Sequence, residues 1–358
     1  MAQRQPTRRT ATLASLAAEL GVSRTTVSNA YNRPDQLSPQ LRQRVLEAAK
    51  RLGYPGPDPL ARSLRTRRAG AIGLVLTEAL SYAFQDPAAV KFLAGLAQAC
   101  EDAKTGLLLV PAVPGAGSDP ALAAAASVDG FVVYSLPQGD PHLEAVLARP
   151  LPIVIVDEPL DVPGVDWVGI DDRIAAAKVG AHIAALGHEQ VGILCTRISP
   201  ERRDGPVSLE RQLDSTYDVV RLRLDGIAEG LSADRTTLPV YESWTHSVES
   251  AESAAAQLLA DHPDVTALIC TTDILALGAL RAAEARGISV PGGLSITGFD
   301  DVPEAEQVGL TTVAQPHAEK GRAAWRLLSR EDRDETESAR QVLDTELVVR
   351  RTTGPPAD

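Results

Sequence analysis

The stretch GVSRTTVSNAYN, residues 21–32, decides the fold of the first part of this chain. It follows TLASLAAEL, whose Leu13, Leu16, Ala17 and Leu20 fall on one face of a helix. The glycine that opens the quoted stretch ends that helix, and the serine two residues later suits the N-cap of a second one. Two helices joined by a glycine turn predict a helix-turn-helix, whose polar second helix enters the major groove of DNA. From this pattern alone, a small helical bundle with a solvated polar face is the alternative.

A third helix is predicted after Ser38-Pro39, because serine caps helix N-termini and proline suits the first helical position. Its apolar residues complete a small core: Leu41, Val45, Leu46 and Ala49. The segment GYPGPDP, residues 53–59, cannot continue a helix, and the basic LARSLRTRR that follows is a short helix candidate. We therefore expect three parts, a headpiece over 1–55, a hinge over 56–69 and a body over 70–358.

The charge of the chain is divided unevenly between these parts. Residues 1–70 contain 13 Lys and Arg against 4 Asp and Glu, a balance of +9, so the net charge of −12 leaves −21 for the rest. An acidic body repels nucleic acid at long range, which confines any contact with DNA to the basic end. The composition thus predicts a basic module for a polyanion joined to a body with another role.

The cysteines and the N-terminus indicate the compartment. Cys100, Cys195 and Cys270 lie far apart without paired spacing, so we expect buried free thiols and the reducing cytoplasm. No apolar stretch of secretory type follows MAQRQPTRRT, and no apolar run nears the roughly 20 residues that span a bilayer. We expect a cytoplasmic protein without membrane contact. The six histidines show no metal-ligand spacing, so neither a metal nor another cofactor is expected.

Apolar runs bounded by turn residues recur through the body and alternate with helical stretches. The runs are IGLVLT, GLLLVPA, GFVVYS, PIVIVD, VGILC, TALIC and LSITGF. Continuous apolar strands that alternate with helices predict parallel sheets covered on both faces. The length of the body allows two doubly wound α/β subdomains with a cleft between them.

Several polar residues lie where these strands end, which is where open α/β sheets bind ligands. Thr77, Asp157, Asp273 and Asp300 end strands or follow them directly. The loop after the first strand also faces the expected cleft, and its candidates are Thr77, Tyr82, Phe84 and Asp86. A strand-end Asp is also a common helix N-cap, and that is the alternative for Asp273 and the preferred interpretation of Asp171.

The N-terminal part resembles the DNA-binding headpiece of LacI/GalR-type bacterial transcriptional regulators. The resemblance rests on Thr12-Leu13, Ala17, GVSRTTVSNAYN, the helix from Ser38 to Leu52, Gly53-Tyr54 and the hinge PLARSLRT. It is dense over the headpiece and looser, but in the right order, over the rest of the chain. One departure is GYPGPDP, which is one residue longer than the usual break before the hinge.

The resemblance implies a set of DNA contacts. Arg24, Thr25 and Asn29 match positions that read bases in the major groove. A second set matches positions whose hydroxyl and amide groups hydrogen-bond phosphates: Thr12, Ser23, Thr26, Ser28 and Asn32, with Leu13 beside them. Leu64 matches a leucine that wedges into the minor groove, with Ala61 three residues earlier on the same helix face. An ordinary buried helical leucine is the alternative for Leu64.

The resemblance also implies a periplasmic-binding-protein-like body that binds a small effector. A hydroxyl-rich ligand such as a sugar needs fixed carboxylates, a guanidinium and an apolar or aromatic wall. The matching positions are Asp157, Arg223, Trp244, Thr272, Asp273, Asp300 and Gln315. Trp244 is a candidate stacking aromatic, or else packs under a loop. Thr272 stands where the family often has Asn, which implies a different hydroxyl pattern in the ligand.

Together these features predict a ligand-responsive regulator, most simply a repressor, that binds a palindromic operator in double-stranded DNA as a homodimer. The effector is expected to be a sugar or related polyol, acting either as inducer or as corepressor. A solute-binding protein is the alternative, which the missing signal peptide and the basic headpiece disfavour. An enzyme is not expected, since no glycine-rich phosphate loop follows the first strand and no nucleophile–base pair is visible.

Overall fold

The computed structural model describes residues 11–54, 56, 68–114, 119–332 and 338–357. The chain divides into two compact units, Met1–Ala69 and Gly70–Asp358. Ala61 and Leu64, the two predicted hinge contacts, lie outside the described residues, as does most of the hinge.

In the part of the first unit that the structure describes, the three predicted helices are present. They are α1 (Leu13–Leu20), α2 (Arg24–Asn32) and α3 (Pro39–Leu52), and a short 3-10 turn at Pro34–Gln36 follows α2. The side chains of Thr12, Ser23 and Ser38 cap the three N-termini, each by accepting from a backbone N–H three residues later. The capping predictions for Ser23 and Ser38 are therefore confirmed.

The core of this unit is small and apolar. Its buried residues are Leu16, Ala17, Val27, Ala30, Val45, Ala48 and Ala49. Only Val27 and Ala30 come from α2, so most side chains of that helix are left on its outer surface. The fold thus offers one polar helix face without using it for packing.

The second unit alternates strands and helices. Its strands are β1 (Ala71–Leu76), β2 (Gly106–Pro111), β3 (Phe131–Tyr134), β4 (Ile153–Val156), β5 (Asp166–Ile170), β6 (Val191–Thr196), β7 (Gly205–Pro206), β8 (Val240–Ser243), β9 (Ala267–Cys270), β10 (Ser295–Thr297), β11 (Thr312–Ala314), β12 (Arg340–Leu343) and β13 (Glu346–Val348). Its helices are α4 (Leu80–Ala83), α5 (Pro87–Asp102), α6 (Ala121–Ala125), α7 (Pro141–Leu147), α8 (Asp172–Ala185), α9 (Leu209–Leu213), α10 (Asp218–Leu231), α11 (Val248–Asp261), α12 (Asp273–Ala285), α13 (Pro303–Val308) and α14 (His317–Ser329). A second 3-10 turn, Arg235–Thr237, precedes β8.

Two sheets form two subdomains, which confirms the predicted doubly wound α/β architecture. The first sheet is entirely parallel, in the order β12-β5-β4-β3-β1-β2. The second has the order β10-β9-β6-β8-β7 and is parallel except for β7. All seven predicted runs are strands, and six further strands lie outside those runs: β5, β7, β8, β11, β12 and β13.

The chain passes between the subdomains three times, after β5, after β11 and after β12. The second crossing places α14 against α5 of the first subdomain, and the contact is close because both helices carry glycine there. A Cβ on Gly95 would lie 1.9 Å from the carbonyl oxygen of Ala318. In the second subdomain, a Cβ on Gly226 of α10 would lie 2.1 Å from the carbonyl oxygen of Arg173 on α8. These glycines let the helix pairs meet at backbone distance.

Within the described ranges, none of the helices combines the length and the apolar character that crossing a membrane requires.

Candidate functional site

The second helix of the headpiece carries the predicted base-reading residues on its surface. Arg24 and Thr25 are exposed in its first turn, and Asn29 lies one turn further on, partly buried. The Nδ2 atom of Asn29 donates to Oε1 of Gln36, 3.0 Å away in the 3-10 turn. The structure therefore brings these three predicted residues to one helix, away from the core positions Val27 and Ala30.

Four of the five predicted phosphate-binding residues form two hydrogen-bonded pairs on α2 and its N-cap. The hydroxyl of Ser23 lies 2.8 Å from that of Thr26. Asn32 donates from Nδ2 to both the carbonyl and the hydroxyl oxygen of Ser28, at 3.1 Å each. Thr12 caps α1 on the exposed surface. Leu13, next to Thr12, packs at the edge of the headpiece core. Each of these hydroxyls has a fixed position from which a phosphate could be held.

A cleft lies between the two subdomains of the second unit, at the carboxyl ends of the parallel strands, and holds a cavity of about 160 Å³. Eight of the eleven predicted effector-binding residues line it: Thr77, Tyr82, Asp86, Asp157, Arg223, Thr272, Asp300 and Gln315. They come from both subdomains and from the crossover before α14, so strands distant in sequence converge on one space.

Three predicted effector-binding residues do not line this cleft. Phe84 is 61% exposed and turned to solvent. The Trp244 side chain packs under a loop, where its Nε1 donates to the carbonyl of Ser199 at 3.2 Å and the Arg197 guanidinium lies 5.0 Å from its ring centre. For Trp244, the alternative of packing under a loop describes the structure.

Asp273 is fully buried behind the cleft wall. Its carboxylate accepts from the Thr312 hydroxyl at 2.5 Å and from the backbone N–H of Val302 at 2.9 Å. Burial raises the pKa of Asp273 to about 6. Thr272, not Asp273, caps helix α12, so the capping alternative for Asp273 is wrong. By contrast, Asp171 caps α8, as predicted.

Arg223 is a buried cation of the cleft with three kinds of partner: a carboxylate, a backbone carbonyl and an aromatic ring. Its Nε donates to Oδ1 of Asp172 at 2.8 Å, and its Nη1 donates to the carbonyl of Thr271 at 2.6 Å. The guanidinium carbon also lies 3.8 Å from the ring centre of Phe299. Burial opposes the charge of Arg223, but Asp172 and Asp300 outweigh it and raise the Arg223 pKa. The guanidinium is therefore a fixed, charged donor at the cleft wall.

A hydrogen-bonded chain links the two subdomains through the crossover. Lys320 donates from Nζ to Oδ1 of Asp157 at 2.6 Å and to Oε1 of Gln315 at 2.7 Å. Gln315 in turn donates from Nε2 to Oδ1 of Asp300 at 2.7 Å. Burial raises the pKa of Asp300 well above its usual range. Both predicted carboxylates are thus oriented by one polar network, which Lys320 joins from α14.

Two further contacts join the cleft walls directly. Glu78, after β1, forms an ion pair with Arg197, after β6. The Tyr82 hydroxyl hydrogen-bonds to Nδ1 of His246, whose Nε2 lies 2.9 Å from the hydroxyl of Thr272. These contacts connect the loop after β1 to the opposite subdomain.

Sequence reasoning missed about half of the polar lining. The missed residues are Glu78, Tyr134, Ser135, Glu158, Thr196, Arg197, Tyr217, His246, His317 and Lys320. The strand-end rule could have found Ser135 and Arg197, which follow β3 and β6. Backbone geometry marks the same region, since Glu78, Ser135, Asp157 and Asp300 all have positive φ. Such strained conformations cluster where a protein holds a ligand.

The chemistry of the cleft is that of binding through hydrogen bonds. Carboxyl, hydroxyl, amide and guanidinium groups converge there, and the tyrosines Tyr82, Tyr134 and Tyr217 add aromatic surface. Within the described part of the chain, no group of three or more His, Cys, Asp or Glu side chains has the geometry to hold a metal ion.

Comparison with known proteins gives the family. Residues 12–56 match the bacterial regulatory proteins of the lacI family, and residues 181–353 match a periplasmic binding protein-like domain. The HTH-type transcriptional regulator Rv3575c of Mycobacterium tuberculosis is 54% identical over 359 residues, which cover 98% of this chain and 99% of that protein. The chain belongs to the LacI family. The predicted family is thereby confirmed, and its named relative is a transcriptional regulator.

Solved structures of LacI-family proteins share the whole architecture. A LacI-family regulator from Corynebacterium glutamicum is 41% identical, with a TM-score of 0.72 over 95% of this chain and 97% of that one. The transcriptional regulator CelR in complex with cellobiose is 28% identical, with a TM-score of 0.68 over 96% and 99% of the two chains. This LacI-family chain therefore combines the DNA-binding headpiece and the ligand-domain fold of its relatives.

Proposed function

We propose that the protein is a repressor that binds a palindromic operator as a homodimer and whose operator affinity is changed by a sugar or related polyol in the cleft. One observation carries the effector part of this proposal. Arg223, Asp157 and Asp300, held by buried partners, converge on one cavity between two subdomains. Fixed carboxylates and a guanidinium are the groups that bind adjacent hydroxyls.

Two further observations support this ligand class. The related regulator CelR has been solved with cellobiose, a sugar without charge. The cavity of about 160 Å³ is small beside the roughly 300–1,000 Å³ of typical ligand pockets, which favours a compact molecule of monosaccharide size.

The proposed DNA interface is the outer face of α2. Arg24, Thr25 and Asn29 read base edges, because guanidinium and amide groups match the donors and acceptors of the major groove. Thr12, Ser23, Thr26, Ser28 and Asn32 hold phosphates, with Leu13 beside them. In the hinge, Leu64 wedges into the minor groove and bends the duplex, with Ala61 three residues earlier on the same helix face. One headpiece reads one half-site, so a symmetric operator requires two copies.

Effector control works through the cleft. A ligand that binds one arrangement of the subdomains better than another shifts their equilibrium, and with it the way in which two subunits present their hinges to DNA. Coupling of this kind is typically about 1–3 kcal/mol, or 5- to 150-fold in operator affinity. The direction of that change distinguishes an inducer from a corepressor.

The proposed function is tested by selecting bound DNA from a random pool at about 0.15 M salt, since affinities for DNA depend on ionic strength. We expect an enriched palindrome. Arg24→Ala should relax preference at one position of each half-site and cost about 1–3 kcal/mol for the operator. Arg44→Ala, on the exposed surface of α3, is the control and should affect operator and random DNA alike. If no sequence is enriched, with or without sugars present, the proposal that the protein is a repressor is refuted.

A further inference from the structure

Every cationic side chain that lines the cleft, among the residues described, already has a carboxylate partner. The pairs are Arg197 with Glu78, Arg223 with Asp172 at 2.8 Å, and Lys320 with Asp157 at 2.6 Å. The side chains of all three cations are less than a tenth exposed. In a buried ion pair the two opposite charges neutralise each other, so neither partner is available to balance the charge of a ligand.

The other titratable groups of the lining add no positive charge. Burial lowers the pKa of His246 and takes that of His317 well below the usual range, so both rings are neutral at neutral pH. Burial raises the pKa of Glu158 to about 8, and burial also raises the pKa of Asp300 well above its ordinary value. Asp86, which caps α5 by accepting from the N–H of Ala88 at 3.0 Å, brings a negative charge.

We propose that the cleft selects uncharged polyhydroxylated ligands and rejects phosphate esters and carboxylic acids built on the same carbon skeleton, and that Lys320 is the residue that sets this preference. The inference rests on the proposed function, because it concerns the same cleft. An anion that enters would be desolvated next to Asp86 without an unpaired cation to receive it. Burying a charge without a partner is costly enough to reduce affinity at least about 100-fold.

Lys320 occupies a position that makes this role specific. It is 1% exposed on the apolar side of α14, which also buries Ala323 and Ala324 in the first subdomain. Its ammonium group reaches the cleft wall only to meet Asp157 and Gln315. Lys320 therefore neutralises Asp157 while leaving the second carboxylate oxygen of Asp157 as an acceptor. If Asp157 lost its charge, Lys320 would become the one unpaired cation among the described lining residues.

The first measurement is calorimetric titration of the full-length protein with matched probes. The neutral set is glucose, galactose, mannose, ribose and sorbitol, and the anionic set is their phosphate esters and sugar acids. We expect at least one neutral probe to have a dissociation constant at least about 100-fold smaller than those of its anionic counterparts. An anionic probe that binds as well as its neutral parent would overturn the inference and leave the proposed function standing. No binding in either set would overturn the proposed sugar effector and the inference with it.

Variants then test the role of Lys320. Asp157→Asn leaves the lysine charge unpaired. The preference for neutral probes, given by the anionic dissociation constant divided by the neutral one, should then fall at least about 10-fold. Asp157→Asn/Lys320→Met removes both charges and should restore the ratio. Should Asp157→Asn fail to fold, Lys320→Met replaces it, because an unpaired Asp157 carboxylate should increase the preference for neutral over anionic probes, and an unchanged preference would overturn the role of Lys320. A purely structural role for Lys320 would weaken both probe classes equally and leave the ratio unchanged.

Discussion

Replacing Arg223 by Met should destabilise the second unit strongly, because it leaves a buried carboxylate without its partner. The Asp172 and Arg223 side chains are only 3% and 8% exposed and are 2.8 Å apart. Removing one member of such a pair typically costs about 3–5 kcal/mol. The carbonyl of Thr271 also loses its 2.6 Å donor. We expect a loss near the upper end of that range at neutral pH.

The loss should depend on pH in a defined direction. Burial already raises the pKa of Asp172 in the native protein, with Arg223 opposing that rise. Without Arg223 the folded-state pKa rises further above the unfolded value of about 3.9. A carboxyl group that binds a proton more tightly when folded destabilises the protein progressively as pH rises above the unfolded pKa. The deficit of the variant should therefore be small near pH 4 and grow toward pH 8.

Urea unfolding monitored by tryptophan fluorescence measures the loss of stability in Arg223→Met and its dependence on pH. Trp167, Trp244 and Trp325 all lie within Gly70–Asp358, so the signal reports that unit. The matched control is Asp172→Asn/Arg223→Met, which leaves no buried charge and should recover at least about half of the loss. The second single variant, Asp172→Asn, completes the cycle. The reasoning would be refuted if Arg223→Met lost less than about 1 kcal/mol, or if the loss in the double variant equalled the sum of the two single losses.

Three further predictions concern packing, capping and protonation. Gly226→Ala should lower the free energy of unfolding, measured by thermal denaturation, by about 1–3 kcal/mol, because the new Cβ would lie 2.1 Å from the Arg173 carbonyl oxygen. Ser23→Ala should cost about 1 kcal/mol through the lost N-cap of α2, seen as faster hydrogen exchange of that helix. Because the pKa of Glu158 is about 8 when folded, wild-type stability should fall between about pH 4.5 and 8. Glu158→Gln should remove that dependence, a difference on the order of 4 kcal/mol at pH 8, and parallel stability–pH curves would contradict it.

The sequence predicts the strands that lie within apolar runs, and the strands that it misses include β5 and β8, which bury charged groups. In β8, VYES, Glu242 is fully buried and is paired with Arg211 at 2.7 Å, so its place in a sheet is invisible to hydrophobic patterning. In β5, DWVGI, Asp166 is buried and accepts from Arg330 at 2.7 Å. Both strands depend on partners that are distant in sequence, which no local pattern reveals.

The candidate cleft shows the same division. Thr77, Asp157 and Asp300 are predictable, because the ends of parallel strands must meet at one edge. Lys320 is not predictable from the sequence, because a lysine on a helix is normally expected to be solvated. Its burial follows only once the crossover is known to place α14 against the first subdomain. The predicted aromatic residues were Tyr82, Phe84 and Trp244, and of these Tyr82 lines the cavity. Two tyrosines that were not predicted add to it: Tyr134 at the end of β3 and Tyr217 just before α10.

The threefold crossing of the chain has a consequence for the order in which the protein is made. The headpiece helices end at Leu52 of 358 residues, so they can fold once about the first seventh of the chain has left the ribosome. The first subdomain needs α14 and its edge strand β12, which ends at Leu343 of 358 residues. A chain stalled after the headpiece but before that point has a DNA-binding module and an unfinished cleft. Truncated products are thus expected to compete for DNA without answering to an effector, and their rapid removal by proteases would protect regulation.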